Sequence, residues 1–147
     1  MTGMSLTMTR DEREEFLAGV HVGVLGLTEP DGAPLAVPIW YGYECGGDVW
    51  LITDTESRKG RALAANPRFS LCAQSEDPPY KYVTVTGDVA ATRAVRQEDR
   101  RALAYRYLGP ELGDMYLEAT ADEGGDSEVY ILRPTRWMTV DYGKQFG

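Results

Sequence analysis

The sequence has one histidine and two cysteines in 147 residues. A zinc centre takes about four Cys, His or carboxylate ligands at short spacings, and Cys45 and Cys72 match no metal or redox spacing. A metal centre and a disulfide framework are therefore excluded as organising devices. Cys72 lies in the apolar run "FSLCA" and reads as a buried thiol, whereas Cys45, in the turn-like "ECGGD", reads as exposed and inert. His21 would have to serve any Ser–His–Asp relay alone. No nucleophile elbow accompanies it, so its place at the start of a strand reads as structural.

Long apolar runs are also missing. None approaches the roughly 20 residues that cross a bilayer, and the start, "MTGMSLTMTRDEREEF", has no apolar segment of signal-peptide length. A soluble, cytoplasmic protein is expected. Positive charge is scarce, with 15 Lys and Arg against 23 Asp and Glu, a net charge of −8 and a pI near 4.6. The summed field of such a chain repels nucleic acid and anionic membrane, which removes both as partners. Repeats and low-complexity segments are absent too. With 43% hydrophobic residues, the chain is expected to form one domain over residues 1–147 with a core that needs no covalent staple.

The pattern that is present is mostly β. "MTRDEREEFLAGV" reads as a short helix with Thr9 as N-cap and acidic residues suited to the positive helix end. Strands are expected at about 21–28, 34–44 and 47–53, separated by the turn signals "EPDGAP" and "CGGD". Pro38, which cannot donate a ladder bond, should lie at an edge, a bulge or the lip of a site. Ser57 to Ala65 reads as a helix with Ser57 as N-cap and Asn66-Pro67 as its stop. A strand over 68–74 follows. "KYVTVTGDVAATRA" is the clearest alternating strand, with Val83, Val85 and Gly87 on one face and Tyr82, Thr84 and Thr86 on the other. "RQEDRRALAYRYLG" reads as an amphipathic helix. "ELGDMYLEATADE" reads as a solvated helix or loop face, "ATADEGGDSE" as a mobile loop, and "EVYILRP" and "RWMTVDY" as two final strands. Six or so strands with short loops indicate a small antiparallel barrel or roll, mainly β with short helices.

One segment runs against the charge of the whole. From Ser57 to Ser75 there is no acid, yet Arg58, Lys59, Arg61 and Arg68 are present. Arg58 and Lys59 fall in the first turn of a helix, where unpaired N–H groups and the dipole already favour an anion. Two explanations stay open on the residues alone: an anion-binding site, or a surface run salt-bridged to the chain's own acids.

"VWLITDTESRKGRALAANPRFSLCAQ" resembles the flavin-binding signature of the split β-barrel family around pyridoxamine 5′-phosphate oxidase. A strand end, Ile52-Thr53, is followed by a basic helix start, Ser57-Arg58-Lys59, then Leu63, then Asn66-Pro67-Arg68. The likeness extends from about Phe16 to Tyr142. It implies a six-stranded antiparallel split β-barrel of the FMN-binding type that forms a homodimer with its sites between subunits. Ser57, Arg58, Lys59 and Arg61 would hold a cofactor phosphate, and Ile52 and Thr53 would lie along the ring. Val37, Pro38, Ile39 and Trp40 would supply backbone contacts to that ring, and Tyr82 would fall near a ring-contacting position. Tyr82 and Lys81 are candidate proton donors, and Trp40, Tyr80, Trp137 and Tyr142 are aromatic groups able to line a ring slot. Gly42 stands where vitamin B6 oxidases place a substrate-phosphate lysine, and "VDYGKQFG" where they carry an Arg–His segment. The resemblance therefore points away from pyridoxamine phosphate and toward the branch that uses FMN or the deazaflavin F420. The implied function is hydride transfer to a small unsaturated or aromatic substrate, with a cofactor carrier or sensor without turnover as the alternative.

Overall fold

The computed structural model describes residues 5–123 and 125–146. Six strands and three helices follow in the order α1 (Arg10–Ala18), β1 (Gly23–Thr28), β2 (Pro34–Ile39), β3 (Val49–Asp54), α2 (Arg58–Ala65), β4 (Arg68–Gln74), β5 (Lys81–Ala94), α3 (Gln97–Ala119) and β6 (Ser127–Asp141). The strands form one antiparallel sheet of order β2-β1-β4-β5-β6-β3, curled into a half-barrel. The architecture is mixed α and β, mainly β, as the residue pattern and the resemblance both imply. Among the described residues no helix is long and apolar enough to cross a membrane.

The curl comes from the two long strands. β5 and β6 pair along their whole lengths, with register shifts at Thr86/Gly87 and Val89/Ala91. On one side β5 pairs with β4 over Tyr82–Asp88, and on the other the first part of β6 pairs with β3. Bulges at these shifts increase local twist and turn the sheet across itself. The two final strands expected from "EVYILRP" and "RWMTVDY" are in fact this single strand β6. Pro134, the last residue of the first of those expected strands, pairs with Gly87 at the bulge, where a missing N–H costs the ladder least.

The expected second strand is also shorter, ending at Ile39 rather than at residue 44. Beyond it, Gly42 alone pairs with Trp50, donating its N–H at 2.8 Å and accepting at 3.0 Å. A Cβ at Gly42 would run into the Trp50 indole. The position therefore has no room for a lysine or any other side chain.

The core fills the inner face of the sheet. Leu25, Leu51, Leu71, Val83, Val85, Val129 and Leu132 are fully buried, α1 adds Leu17, and α2 adds Ala62 and Leu63. Cys72 differs from its expected burial. It is half-buried, because β4 turns Phe69, Leu71 and Ala73 inward and Cys72 outward. Cys45 is exposed as expected. At the start of α1, the Thr9 hydroxyl accepts from the Glu12 amide at 3.2 Å and the Glu12 carboxylate accepts from the Thr9 amide at 2.7 Å. Lys144 also bonds that carboxylate, and together these donors hold its pKa down at about 2. The "ATADEGGDSE" loop passes through Gly124, which lies outside the described residues.

Gly42→Ala should overpack the Trp50 contact and destabilise the protein by about 1–3 kcal/mol. The difference in thermal or urea midpoint between the variant and the parent protein measures this, and an unchanged midpoint would mean that the Trp50 ring moves aside freely.

Candidate functional site

β2 and β3 are the two free edges of the sheet. They leave the Gly42–Trp50 pair as a hairpin and then part, β2 toward β1 and β3 toward β6. Parting strands leave backbone polar groups without ladder partners, and these must be met elsewhere. Tyr107 on α3 meets them. Its hydroxyl accepts from the Tyr41 amide at 3.1 Å, donates to the His21 carbonyl at 2.7 Å, and lies 3.1 Å from the Tyr41 carbonyl. Its ring stacks on Trp40 at 5.0 Å and 6°. Beside it, Arg106 donates to the Ala18 and Gly19 carbonyls at 3.1 and 2.6 Å, closing the C-terminal end of α1. At the start of α3, Asp99 accepts two bonds from Arg93, at 2.7 and 2.8 Å, and one from the Arg96 amide.

α3 breaks at Gly109, whose φ of 79° only glycine adopts at little cost, and Pro110 opens its second half. The expected helix over "RQEDRRALAYRYLG" is therefore the first half of a bent element that runs on to Ala119. The second half brings Tyr116 to Trp40 at 5.3 Å. The result is a cavity of about 340 Å³ at the split. Pro38, Ile39 and Trp40 from β2 and its end, with Ile52 from β3, form one wall. Arg100, Leu103 and Tyr116 of α3 form the other, with Val22 at the margin. Among the described residues no carboxylate or imidazole lines it.

Five residues beyond Ile52 the chain reaches the cationic segment. Ser57 caps α2 as expected, accepting from the Gly60 amide at 3.1 Å and donating to the Asp54 carbonyl at 2.6 Å. The amides of Arg58 and Lys59 have no acceptor among the described residues. Both explanations of the segment find something here. Arg58 is ion-paired to Glu29 of the β1–β2 turn, Nε to Oε1 at 2.8 Å, and this pairing holds the Glu29 carboxyl below the usual range. The pair is exposed on the arginine side, so solvent screens it and it contributes little. Lys59 and Arg61 make no ion pair among the described residues, and Arg58 and Arg61 share a shallow pocket with Glu29 and Asp31. Asn66 holds the same turn from the other end of α2, donating to the Thr28 carbonyl at 3.2 Å.

The structure thus brings Pro38, Ile39, Trp40 and Ile52 to the cavity and Ser57, Arg58 and Arg61 to one end of α2. Pro38 is both on an edge strand and on the lip of the cavity, as its missing N–H implied. Val37 turns half-buried toward the core, leaving its backbone for any contact at the split. Thr53 is 5% exposed and its hydroxyl lies 3.3 Å from that of Ser57, so it braces the start of α2 from inside. Tyr82 does not line the cavity. It pairs with Gln74 and Val140, and β1 and β4 lie between its strand and β2. Lys81 faces another hollow, with Glu12 and Asp141. Trp137 packs under Arg13 and against Tyr43, while Tyr80 and Tyr142 are exposed. His21 is structural as read: it stacks on Phe16 at 4.4 Å with Nε2 3.0 Å from the Phe16 carbonyl, and burial lowers its pKa. Arg100, Leu103 and Tyr116 were not anticipated. "ELGDMYLEATADE" carries enough acid to read as solvated, and its inward side shows only in the buried Gly113 and Leu117 and in Tyr116, which is exposed yet lines the cavity. The Gly109-Pro110 pair was the signal that the helix bends back.

A family model described as pyridoxamine 5′-phosphate oxidase matches residues 9–141. Among solved structures, a conserved hypothetical protein from Mycobacterium tuberculosis superposes with a TM-score of 0.75 at 22% identity, over 97% of this chain and 90% of that one. An F420 reductase does so with 0.66 at 24% identity, over 85% and 94%. A FAD-binding protein from Mesorhizobium loti gives 0.61 at 19% identity, over 90% and 94%. At such identities the likeness shows the fold. No curated protein matches the sequence.

Tyr107→Phe should strand the Tyr41 amide and the His21 carbonyl and destabilise the protein by about 1–3 kcal/mol. Amide hydrogen exchange locates the effect: Tyr41 should lose protection while the β4 and β5 amides keep theirs. Uniform loss, or none, would mean that the hydroxyl is not what satisfies the split.

Proposed function

Because the chain belongs to the pyridoxamine 5′-phosphate oxidase family, we propose that it binds a flavin-type cofactor, FMN or F420, and works as an oxidoreductase on a small unsaturated or aromatic substrate. The observation that carries this reading is one strand serving two ends of a site. β3 offers Ile52 to an apolar slot and, five residues on, leads to a helix start with two cations and two unpartnered amides.

The residues fit such a group. The Arg58 and Lys59 amides and side chains would take its phosphate, with Arg61 at the edge and Ser57 and Thr53 fixing the turn. Glu29 occupies Arg58 with an exposed, weak pair, and a phosphate with two or more charge-assisted bonds outcompetes it. The backbone of Val37–Trp40 and the side chain of Ile52 would hold the ring at the split, where Pro38 leaves an edge free of one donor. The bound cofactor would supply the hydride chemistry, and the protein its position and electrostatics. Among the described lining residues Tyr116 carries the hydroxyl that would hand over a proton.

The same reading makes the protein a cytoplasmic homodimer of one domain per chain. Pro38, Val24, Cys72, Thr84 and Met138 lie opposite one another in register on the outer face of the sheet. Val24 is 42% and Met138 57% exposed there, and Val22 beside them 54%. An apolar stripe reaching from the cavity lip across the sheet suits a second copy, whose Tyr82 would complete the site. The absence of a carboxylate or imidazole among the described lining residues favours, as a second reading, a carrier or sensor that binds the cofactor without turnover.

Titration of the purified protein with FMN, F420 and riboflavin tests the reading. Arg58→Ala with Lys59→Ala should weaken FMN or F420 by about a hundredfold and leave riboflavin, which has no phosphate, unchanged. Glu29→Gln should tighten the phosphorylated ligands only. Equal affinity of parent and double variant would remove the assignment. Binding without reduction of any nitroaromatic or enone acceptor would select the carrier reading.

A further inference from the structure

The α3 wall of the cavity holds an arginine that the cofactor reading does not use. Arg100 is half-buried and lines the slot with Leu103 and Tyr116, across from Pro38, Ile39 and Ile52. Its Nη2 donates to the Thr120 carbonyl at 3.2 Å and to the Thr120 hydroxyl at 2.6 Å. That hydroxyl in turn donates to the Tyr116 carbonyl at 2.8 Å. The guanidinium is thereby tied to the far end of the bent helix and held in one orientation, with Nη1 and Nε left over as donors.

What it lacks is an acid. Arg10, Arg58, Arg68, Arg93, Arg96 and Arg133 each reach a carboxylate of this acidic chain. Arg100, like Arg13, Arg61, Arg101, Arg106 and Arg136, makes no such pair among the described residues, but of these six it alone lines this cavity, whose other walls are apolar and aromatic. A fixed charge beside apolar walls, without a counterion, is costly on its own and attractive to an anion that brings one. The walls specify the rest of that anion. Trp40 lies between Tyr107 and Tyr116, and Pro38, Ile39, Ile52 and Leu103 complete a slot for a flat body.

We propose that the α3 side of this cavity is a binding site for a planar aromatic or unsaturated carboxylate, and that Arg100 takes the carboxylate while Thr120 orients the guanidinium. Both two-donor edges of a guanidinium include Nη2, which Thr120 occupies, so the carboxylate takes a single charge-assisted bond from Nη1 or Nε, each held in a fixed direction by the planar group. The inference goes beyond the cofactor reading and names a substrate class for the same slot. It does not depend on the phosphate clamp at α2.

Calorimetric titration of the full chain with 2-naphthoate and with its neutral amide tests it, with and without saturating FMN. The carboxylate should bind at least tenfold more tightly than the amide. Arg100→Met should abolish that preference, Arg100→Lys should retain part of it, and Thr120→Val, which keeps the charge but frees it, should reduce it; circular dichroism confirms that each variant folds. Equal affinity for acid and amide in the parent protein, or a preference that survives Arg100→Met, overturns the proposal. So does an Arg100→Met variant that loses FMN instead of naphthoate, since Arg100 would then serve the cofactor. Failure of FMN to bind while naphthoate does would sink the cofactor reading and leave this one standing.

Discussion

A sheet whose first and last strands are joined at one residue pair must satisfy the backbone groups that it leaves apart. Here the phenol of Tyr107 does so, between the Tyr41 amide and the His21 carbonyl. Without such a partner the split would either admit water to half-buried peptide groups or close by further pairing of β2 with β3, and no slot would remain. The same side chain stacks on Trp40, and its neighbour Arg106 closes α1. One turn of α3 therefore ties together the first helix, the split and the cavity wall.

The electrostatics follow from where the charges can reach. In a chain of net charge −8 about half of the cations find carboxylates, and the ion pairs among the described residues are largely exposed. Such pairs are weak and exchange readily for a better anion. The cations at the start of α2 stand beside backbone donors that have no acceptor among the described residues. Arg100 differs because its surroundings are apolar. These are two distinct ways of leaving positive charge unsatisfied, and they suit two different anions, a phosphate at the start of α2 and a carboxylate at the α3 wall.

Much of the frame was legible in the residues. Thr9, Ser57 and the Asn66-Pro67 stop marked helix ends through side-chain chemistry that acts within a few residues. The alternation of Val83, Val85 and Gly87 marked the inner face of β5, and Pro38 within β2 marked an edge. Ile52, Thr53 and the Ser57-Arg58-Lys59 turn could be read as a unit because they are contiguous. Misreadings arose where contacts cross long stretches of chain. Pro134 ended the first of two expected final strands, and only its pairing with Gly87 at a bulge shows why β6 continues. Residues 40–44 looked like strand, and only Tyr107, 66 residues away from Tyr41, shows why pairing stops.

The sequence by itself determined the local elements, the β-rich class, the acidic character and the cationic turn, because those depend on neighbouring residues and on composition. It also carried the family resemblance that the match over residues 9–141 bears out. Only the tertiary structure decided that Arg58 already holds Glu29, that Gly42 lies under Trp50, and that the bent α3 supplies the second wall of the cavity with Arg100 in it. Those facts depend on which distant segments the curled sheet brings within a few ångströms, and neither periodicity nor short-range capping encodes such distances.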